Sequence, residues 1–239
     1  MGMLVRLAAA CLLPLMLASC FVVPGKFAST LRIGADRSFT FAYKGEVIAI
    51  DLDDSMSKAL ESDDDASDGD ADATENDAAL IPAALQDKDD KAAKKATTEA
   101  RNREIATALA KEAGYRSVEY KGDGVFAVDY AIEGRLTHNF VYPFNSDATA
   151  IFPFIAIELR KDSTVRMTAP AFARQNREGM PGGTDASQRL DGSFTLETDA
   201  EIVSQNSEAG ATGPATARVV TWRATPLTKT APMAVLRLR

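Results

Sequence analysis

The sequence predicts an α+β fold made mostly of antiparallel β-sheet, with about nine strands and one main helix packed on the sheet. Three observations support this prediction. Apolar and polar residues alternate through most of the chain, turns rich in Gly and Asp separate many of these runs, and one segment repeats its apolar residues at helical spacing. The order of a hairpin, a helix and then a series of strands is typical of α+β proteins.

The first predicted element is a β-hairpin formed by residues 27–33 and 38–50. In the second run, Phe39, Phe41 and Tyr43 alternate with smaller or polar residues, and the sequence "GADR" joins the two runs. Alternation on both sides of a short Gly/Asp turn indicates two antiparallel strands.

The predicted helix covers residues 97–115, "TTEARNREIATALAKEAGY". Apolar residues recur at four-residue spacing from Ile105 onward, which is helical periodicity. Thr97 or Thr98 can cap the start, and Gly114 suits the position after the last turn. Because the apolar stripe is thin, we expect the helix to lie on a sheet rather than to be enclosed.

Strands predominate in the rest of the chain. The runs "YRSVEY" and "VFAVDYAIEGRL" flank "KGDG", which is a strong hairpin signal. Further strands are predicted within residues 151–159, 164–167, 192–210, 217–227 and 233–239. A loop rich in Gly and Pro covers residues 175–188.

The N-terminus has the layout of an export signal. Arg6 precedes an apolar run, and the small residues Ala18 and Ser19 precede Cys20. The apolar run is too short to span a bilayer, which needs about 20 residues. The sequence Leu17-Ala18-Ser19-Cys20 resembles the lipobox of bacterial lipoproteins. In that family the cysteine thiol carries a diacylglycerol and the freed amine is acylated.

This resemblance implies the domain boundaries and the location of the protein. Residues 1–19 are expected to be a signal peptide, residues 20–26 a lipidated tether, and residues 27–239 a single domain. The domain would then be lipid-anchored in the bacterial envelope and face the periplasm. Because Phe21, rather than Asp, follows the cysteine, the lipoprotein sorting pattern of diderm bacteria favours the outer membrane over the inner one.

The chain contains two cysteines, Cys11 and Cys20. If Cys11 leaves with the signal peptide and Cys20 is acylated, no free thiol remains. Disulfides, thiolate metal sites and cysteine catalysis are then excluded from the mature protein.

Negative charge is concentrated in one segment. The chain has a net charge of −7, and residues 51–77 hold 12 Asp and Glu against one Lys. The remainder is close to neutral, which excludes a basic nucleic-acid face. Residues 52–95 are of low complexity and contain few large apolar side chains, so we interpret them as a disordered or weakly helical acidic insertion into the domain.

This insertion contains a partial match to a calcium-binding loop. Asp64, Asp68, Asp72 and Glu75 lie at the ligand spacing of an EF-hand, but Ala66 occupies the third ligand position. In so acidic a segment such matches arise easily, so these four residues are weak candidates and we assign no metal and no cofactor. Loose binding of divalent cations by the whole segment stays open as an alternative.

His138 is the only histidine in the chain. It is therefore the one ordinary candidate for a general base near neutral pH, but no nucleophile motif accompanies it. We predict no catalytic residue and no enzymatic activity.

An aromatic cluster lies within residues 140–154. Its members are Phe140, Tyr142, Phe144, Phe152 and Phe154. Two interpretations stay open: the residues pack in the core, or they form an exposed apolar lip that faces a membrane or a ligand.

The C-terminal part, "GSFTLETDAEIVSQNSEAG" followed by "ARVVTWRATPLTKTAPMAVLRL", resembles the LppM-type domain of bacterial lipoproteins. The resemblance covers residues 20–50 and 97–239. It implies an envelope-anchored domain with an apolar groove and provides no catalytic residue. The favoured function is therefore a non-enzymatic lipoprotein that binds a partner protein or an apolar or lipid ligand. The alternative is a divalent-cation-responsive module that acts through the acidic insertion. A hydrolase using His138 or carboxylates is the least favoured hypothesis.

Overall fold

The computed structural model describes residues 20–51, 83–143, 153–174 and 188–239. Within these ranges the chain forms twelve strands, one α-helix (α1, Ala83–Leu109) and a 3-10 helix at Pro170–Phe172. The strands are β1 (Cys20–Ile33), β2 (Ser38–Asp51), β3 (Tyr115–Gly122), β4 (Val125–Arg135), β5 (Phe140–Tyr142), β6 (Ile155–Leu159), β7 (Thr164–Thr168), β8 (Asp191–Thr198), β9 (Glu201–Gln205), β10 (Ala211–Thr212), β11 (Arg218–Ala224) and β12 (Met233–Arg237).

The strands form two sheets. A seven-stranded sheet has the order β10-β11-β8-β1-β2-β4-β3, and a five-stranded sheet has the order β5-β6-β7-β12-β9. The paired strands are antiparallel except for β1 and β8, which are parallel. The predicted α+β class, with mostly antiparallel sheet and one main helix, is confirmed. The strand number exceeds the expected nine partly because the run 192–210 divides into β8 and β9, which lie in different sheets.

The predicted β1–β2 hairpin is present, but it is longer than expected. Residues 20–26, which were expected to form a tether, belong to β1, which begins at Cys20 and pairs with the end of β2. Val22 and Val23 are β-branched residues that fit a strand, and they lie opposite Ala49 and Ile48. A register shift separates this outer part of the hairpin from its inner part.

Gly45 lies where this register shift brings the two strands very close together. A Cβ atom on Gly45 would lie 2.3 Å from the carbonyl oxygen of Lys26 and 2.5 Å from Cα of Phe27. A glycine is therefore needed at this position for the two strands to stay paired.

Helix α1 begins earlier and ends sooner than predicted. The Thr97 hydroxyl donates a hydrogen bond to the carbonyl oxygen of Ala93, so Thr97 lies inside the helix and does not cap it. The stretch before Thr97 is rich in Ala and Lys, which have high helix propensity, and this explains why the helix begins earlier. The last part of the predicted insertion, 83–95, is thus helical, whereas residues 52–82 lie outside the described residues.

The core lies between the two sheets and is largely aromatic. Phe172, in the 3-10 helix, stacks on Phe27 of β1 with 4.3 Å between ring centroids. Its ring is also 5.8 Å from that of Phe194 on β8. These contacts join the connection after β7 to the middle of the larger sheet. None of the helices in the described part of the chain is both long and apolar enough to cross a membrane.

Candidate functional site

The lipidation candidate, Cys20, is the first residue of β1, and its backbone lies opposite that of Asp51. The end of the β1–β2 hairpin is therefore the point from which a lipid attached to Cys20 would extend. The four calcium candidates, Asp64, Asp68, Asp72 and Glu75, lie outside the described residues. Within the described ranges, no group of three or more His, Cys, Asp or Glu side chains could hold a metal ion.

Of the five aromatic residues of the predicted apolar lip, two are buried, one is half-buried and two lie outside the described residues. Tyr142 and Phe154 are buried, with 4% and 0% exposure, so the lip interpretation is wrong for these two side chains. Phe140 is half-buried against Phe39 and Phe41, with ring centroids 5.3 and 5.8 Å away. Phe144 and Phe152 lie outside the described residues.

Tyr142 lies within a group of tyrosines in this aromatic core. Its ring centroid is 4.4 Å from that of Tyr130 and 5.9 Å from that of Tyr43. The Tyr142 hydroxyl also hydrogen-bonds to Tyr115. Burial, chiefly, raises the pKa of Tyr142 far above its usual value. The hydroxyl therefore stays neutral and has a structural role here.

The only histidine is exposed and lies between β4 and β5. The Nδ1 atom of His138 is 3.0 Å from the hydroxyl of Thr137. A catalytic triad would need a carboxylate to orient the imidazole and a nucleophile within reach. The described contacts of His138 include the Thr137 hydroxyl but no carboxylate that would orient the imidazole.

An open cleft lies where the edge strands β9 and β10 of the two sheets meet, and we call it the β9 cleft. It has a volume of about 700 Å³, and β9 forms one wall. Ala211, Ala215 and Arg218, from the β10–β11 region, form the facing wall, and the C-terminal residues Arg237 to Arg239 complete it. In the described part of the chain, β9 lies at one edge of the five-stranded sheet and β10 lies at one edge of the seven-stranded sheet.

Some charged side chains of the β9 cleft have an oppositely charged partner, and others do not. The Arg237 guanidinium donates to both carboxylate oxygens of Glu201, each at 2.9 Å. The Asp199 carboxylate accepts a hydrogen bond of 2.8 Å from the backbone N–H of Ala35. No side-chain partner is found among the described residues for Arg218 or for Arg239. The cleft therefore offers two guanidinium groups to an incoming ligand.

Asn206 connects the two sheets next to the cleft. Its Oδ1 atom accepts hydrogen bonds from Trp222 Nε1 at 2.9 Å and from the Met233 N–H at 2.8 Å. Its Nδ2 group donates to the carbonyl oxygen of Ala231 at 2.8 Å. Trp222 belongs to the larger sheet and Met233 to the smaller one, so this side chain fixes the distance between the walls.

A second polar cluster joins α1 to the turn between β3 and β4, and we call it the helix clamp. Glu99 Oε1 accepts hydrogen bonds from the Tyr120 hydroxyl at 2.8 Å and from the Asp123 N–H at 3.0 Å. Lys95 Nζ lies 2.9 Å from Asp123 Oδ1. The buried side chain of Asn102 donates to the Tyr120 hydroxyl at 3.2 Å.

Sequence reasoning found neither the β9 cleft nor the helix clamp. The position of β9 at a sheet edge depends on its pairing with β12, some 30 residues further along the chain. One signal was visible: "EIVSQN" contains two adjacent apolar residues, Ile202 and Val203, which breaks the alternation of a strand, and Val203 is 46% exposed.

The chain was compared with protein families, curated proteins and solved structures. No family model matches it, and no curated protein matches it. Among solved structures, it is similar to the NMR structure of the folded domain of LppM from Mycobacterium tuberculosis. The alignment covers 92% of each chain at 15% identity, with a TM-score of 0.32. These values are too low to assign function, so the site is interpreted from the residues of this chain.

Proposed function

We propose that this protein is a non-enzymatic lipoprotein of the bacterial envelope, anchored through Cys20, whose β-rich domain binds a partner protein. The observation that carries the proposal is the order of residues 1–20: one positive charge, an apolar run, Leu17, two small residues and Cys20. Two or more acyl chains on one residue give stable membrane attachment, because each buried CH₂ contributes about 0.8 kcal/mol.

The position of Cys20 in the fold is consistent with an anchor that holds the domain close to the membrane. Because β1 begins at Cys20, no flexible linker separates the lipidation point from the seven-stranded sheet. The β9 cleft lies toward the other end of β1, where Ile33 pairs with Thr198. At about 3.3 Å per residue, the strand separates the two ends by roughly 40 Å. Such a domain presents the cleft to the periplasm rather than to the lipid.

The nature of the described surfaces favours a protein partner over an apolar ligand. Tyr142, Phe154 and Phe172 pack against one another and are 4% exposed or less, so they leave no apolar surface for a ligand at these positions. The β9 cleft, in contrast, is open and combines charged and polar side chains with apolar ones, among them Ile202, Val203 and Leu238, next to two edge strands. Groups of this kind recognise polypeptides through backbone hydrogen bonds and charge.

Lipidation is tested by expressing the full chain in a diderm bacterium and measuring the intact mass of the membrane-extracted protein. We expect a chain that begins at Cys20 and carries the mass of a diacylglyceryl group and an N-acyl chain. Cys20→Ala should abolish this mass shift and release the protein from the membrane fraction. Cys11→Ala is the matched control and should leave both unchanged. An unmodified thiol at Cys20 in membrane-bound wild-type protein would disprove the proposed anchor.

The partner-binding role is separated from the cation-responsive alternative by deleting residues 52–82. Cross-linking in intact cells, followed by mass spectrometry, measures partner capture by the wild-type and deleted chains with and without a chelator. We expect equal capture in all four samples. Capture that requires both the acidic segment and divalent cations would instead support the alternative function.

A further inference from the structure

We propose that the β9 cleft binds an extended acidic segment of the partner protein, which adds to β9 as a further strand. This inference rests on the proposed partner-binding function and specifies the recognition mode and the chemistry of the ligand. Two independent features support it: a free strand edge, and unpaired positive charge beside that edge.

The first feature is the backbone edge of β9, which pairs with no second strand in the described part of the chain. Edge strands expose N–H and C=O groups that can pair with another chain, and proteins usually protect such edges with charges, proline, β-bulges or a covering element. In β9 a bulge lies at Val203, and the charge of Glu201 is paired with Arg237. In β9 the central residue, Val203, is uncharged and 46% exposed. The pairing of β9 with β12 shifts register at this point, so Val203 has no partner residue on β12. Apolar surface is therefore available next to the free edge.

The geometry of the cleft suits one added strand. β9 contains five residues, and an equally long extended segment measures about 17 Å. Across the cleft lies β10, which is the edge strand of the larger sheet and pairs with β11 through Ala211 and Thr212. An added strand would lie between two sheet edges that Asn206 holds at a fixed separation. Binding would therefore reduce the conformational entropy of the partner segment but not that of the cleft.

The second feature is the electrostatic character of the cleft. The side chains that line it include three arginines and two carboxylates. The Glu201 carboxylate is paired with the Arg237 guanidinium, whereas the Asp199 carboxylate accepts a hydrogen bond from the Ala35 N–H and keeps its negative charge, so these side chains leave one excess positive charge in the cleft. Arg218 and Arg239 thus remain to recognise carboxylates of the incoming strand, and Arg forms bidentate hydrogen bonds with carboxylates.

Direct binding of synthetic peptides tests this inference. The probes are two acetylated heptapeptides that alternate Val or Thr with Asp or Glu in the two possible registers, and two matched peptides with Lys in place of the acids. The protein is the full mature, acylated chain in detergent micelles, and binding is measured by fluorescence anisotropy. We expect at least one acidic peptide to bind and both Lys peptides to bind at least tenfold more weakly.

Hydrogen–deuterium exchange locates the bound peptide. We expect the amides of Glu201–Gln205 to exchange more slowly when the acidic peptide is present. The double variant Arg218→Glu with Arg239→Glu should weaken binding at least tenfold. Lys111→Glu with Arg116→Glu, at two exposed positions away from the cleft, is the charge-matched control that should not. If the double variant fails to fold, as reported by Trp222 fluorescence, Val203→Asp replaces it, because an exposed edge residue tolerates this change.

Two outcomes would overturn the inference. One is that neither acidic peptide binds to folded wild-type protein. The other is that a peptide binds equally well to Arg218→Glu/Arg239→Glu, or without slowing exchange in β9. Both outcomes leave the lipid anchor and the captured partner untouched, because the mass of the mature chain and cross-linking in cells measure those separately.

Discussion

The seven-stranded sheet makes two contacts of opposite chemistry. On the five-stranded sheet and the 3-10 helix it packs through aromatic rings, among them Phe27, Phe172 and Phe194. On α1 it packs through the helix clamp, in which Glu99 and Tyr120 are the central groups. Apolar contacts gain free energy from burial without strict geometry, whereas the polar contact depends on each donor finding its acceptor.

The difference explains how a helix with a thin apolar stripe can have a defined position. Among residues 92–109 of α1, whose burial is described, Ala106 and Asn102 are buried and Ile105 is half-buried. Burial of an alanine and an amide contributes little hydrophobic free energy, so hydrogen bonds must fix the helix. We therefore expect the inter-sheet contact to determine global stability and the helix clamp to determine the local stability of α1.

The largest effect is expected in the inter-sheet contact. Phe172→Ala removes a ring with 0% exposure that contacts Phe27, Phe154 and Phe194, and should lower the free energy of unfolding by about 3–5 kcal/mol. Urea denaturation followed by Trp222 fluorescence measures it. The control Leu227→Ala, at a side chain that is 80% exposed, should change stability by less than about 0.5 kcal/mol. Similar effects of the two variants would show that Phe172 does not belong to the core.

The second effect concerns the helix clamp. Glu99→Ala removes the acceptor of the Tyr120 hydroxyl and of the Asp123 N–H, and should cost about 1–3 kcal/mol. Because the change is local, we expect faster hydrogen exchange in α1 while exchange in β1 and β8 stays the same. Glu104→Ala is the matched control, since Glu104 lies on the exposed side of the same helix. A uniform increase in exchange over all elements would contradict a local role for the helix clamp.

The strands that form the core could be predicted from sequence, and β2 shows why. Phe39, Phe41 and Tyr43 alternate with small or polar residues, and all three are buried. Alternation of this kind identifies both the strand and its core-facing side. It does not identify the strand's neighbours, so the parallel pairing of β1 with β8, which lie about 160 residues apart, could not be foreseen.

The helix clamp and the β9 cleft could not be predicted because each is assembled from distant polar residues. Glu99 and Asp123 are separated by 24 residues, and Asp199 and Ala35 by 164. Polar residues carry no periodic signal that tells a buried hydrogen bond from a solvated side chain. The predicted start of α1 was wrong for a related reason. Residues 83–95 contain many charged side chains, which are typical of disordered segments, but their alanines and lysines also have high helix propensity.

The smallest effect should come from the exposed ion pair in the helix clamp, between Lys95 and Asp123. A hydrogen bond from Lys95 lowers the pKa of Asp123, and the same contact raises the pKa of Lys95. Because the pKa of Asp123 is lower in the folded state, the pair stabilises the fold above the unfolded pKa of about 3.9. This stabilisation is lost as the pH falls through the folded-state pKa. Because the pKa of Lys95 is higher in the folded state, the pair stabilises the fold below the unfolded pKa of about 10.4. This stabilisation is lost as the pH rises through the folded-state pKa. The pair therefore contributes between about pH 4 and pH 10.

Lys95→Met tests this window against Lys94→Met, which removes an exposed charge from the neighbouring helical position. At pH 7 we expect exchange in the β3–β4 turn, corrected for intrinsic rates, to be faster in Lys95→Met than in Lys94→Met. The difference should shrink as the pH falls through the lowered pKa of Asp123, and it should also shrink in about 1 M salt, where the Debye length is about 3 Å. If the difference persisted under both conditions, Lys95 would act through the packing of its alkyl chain and not through its charge, and the stability of α1 would rest on Glu99, Asn102 and Tyr120.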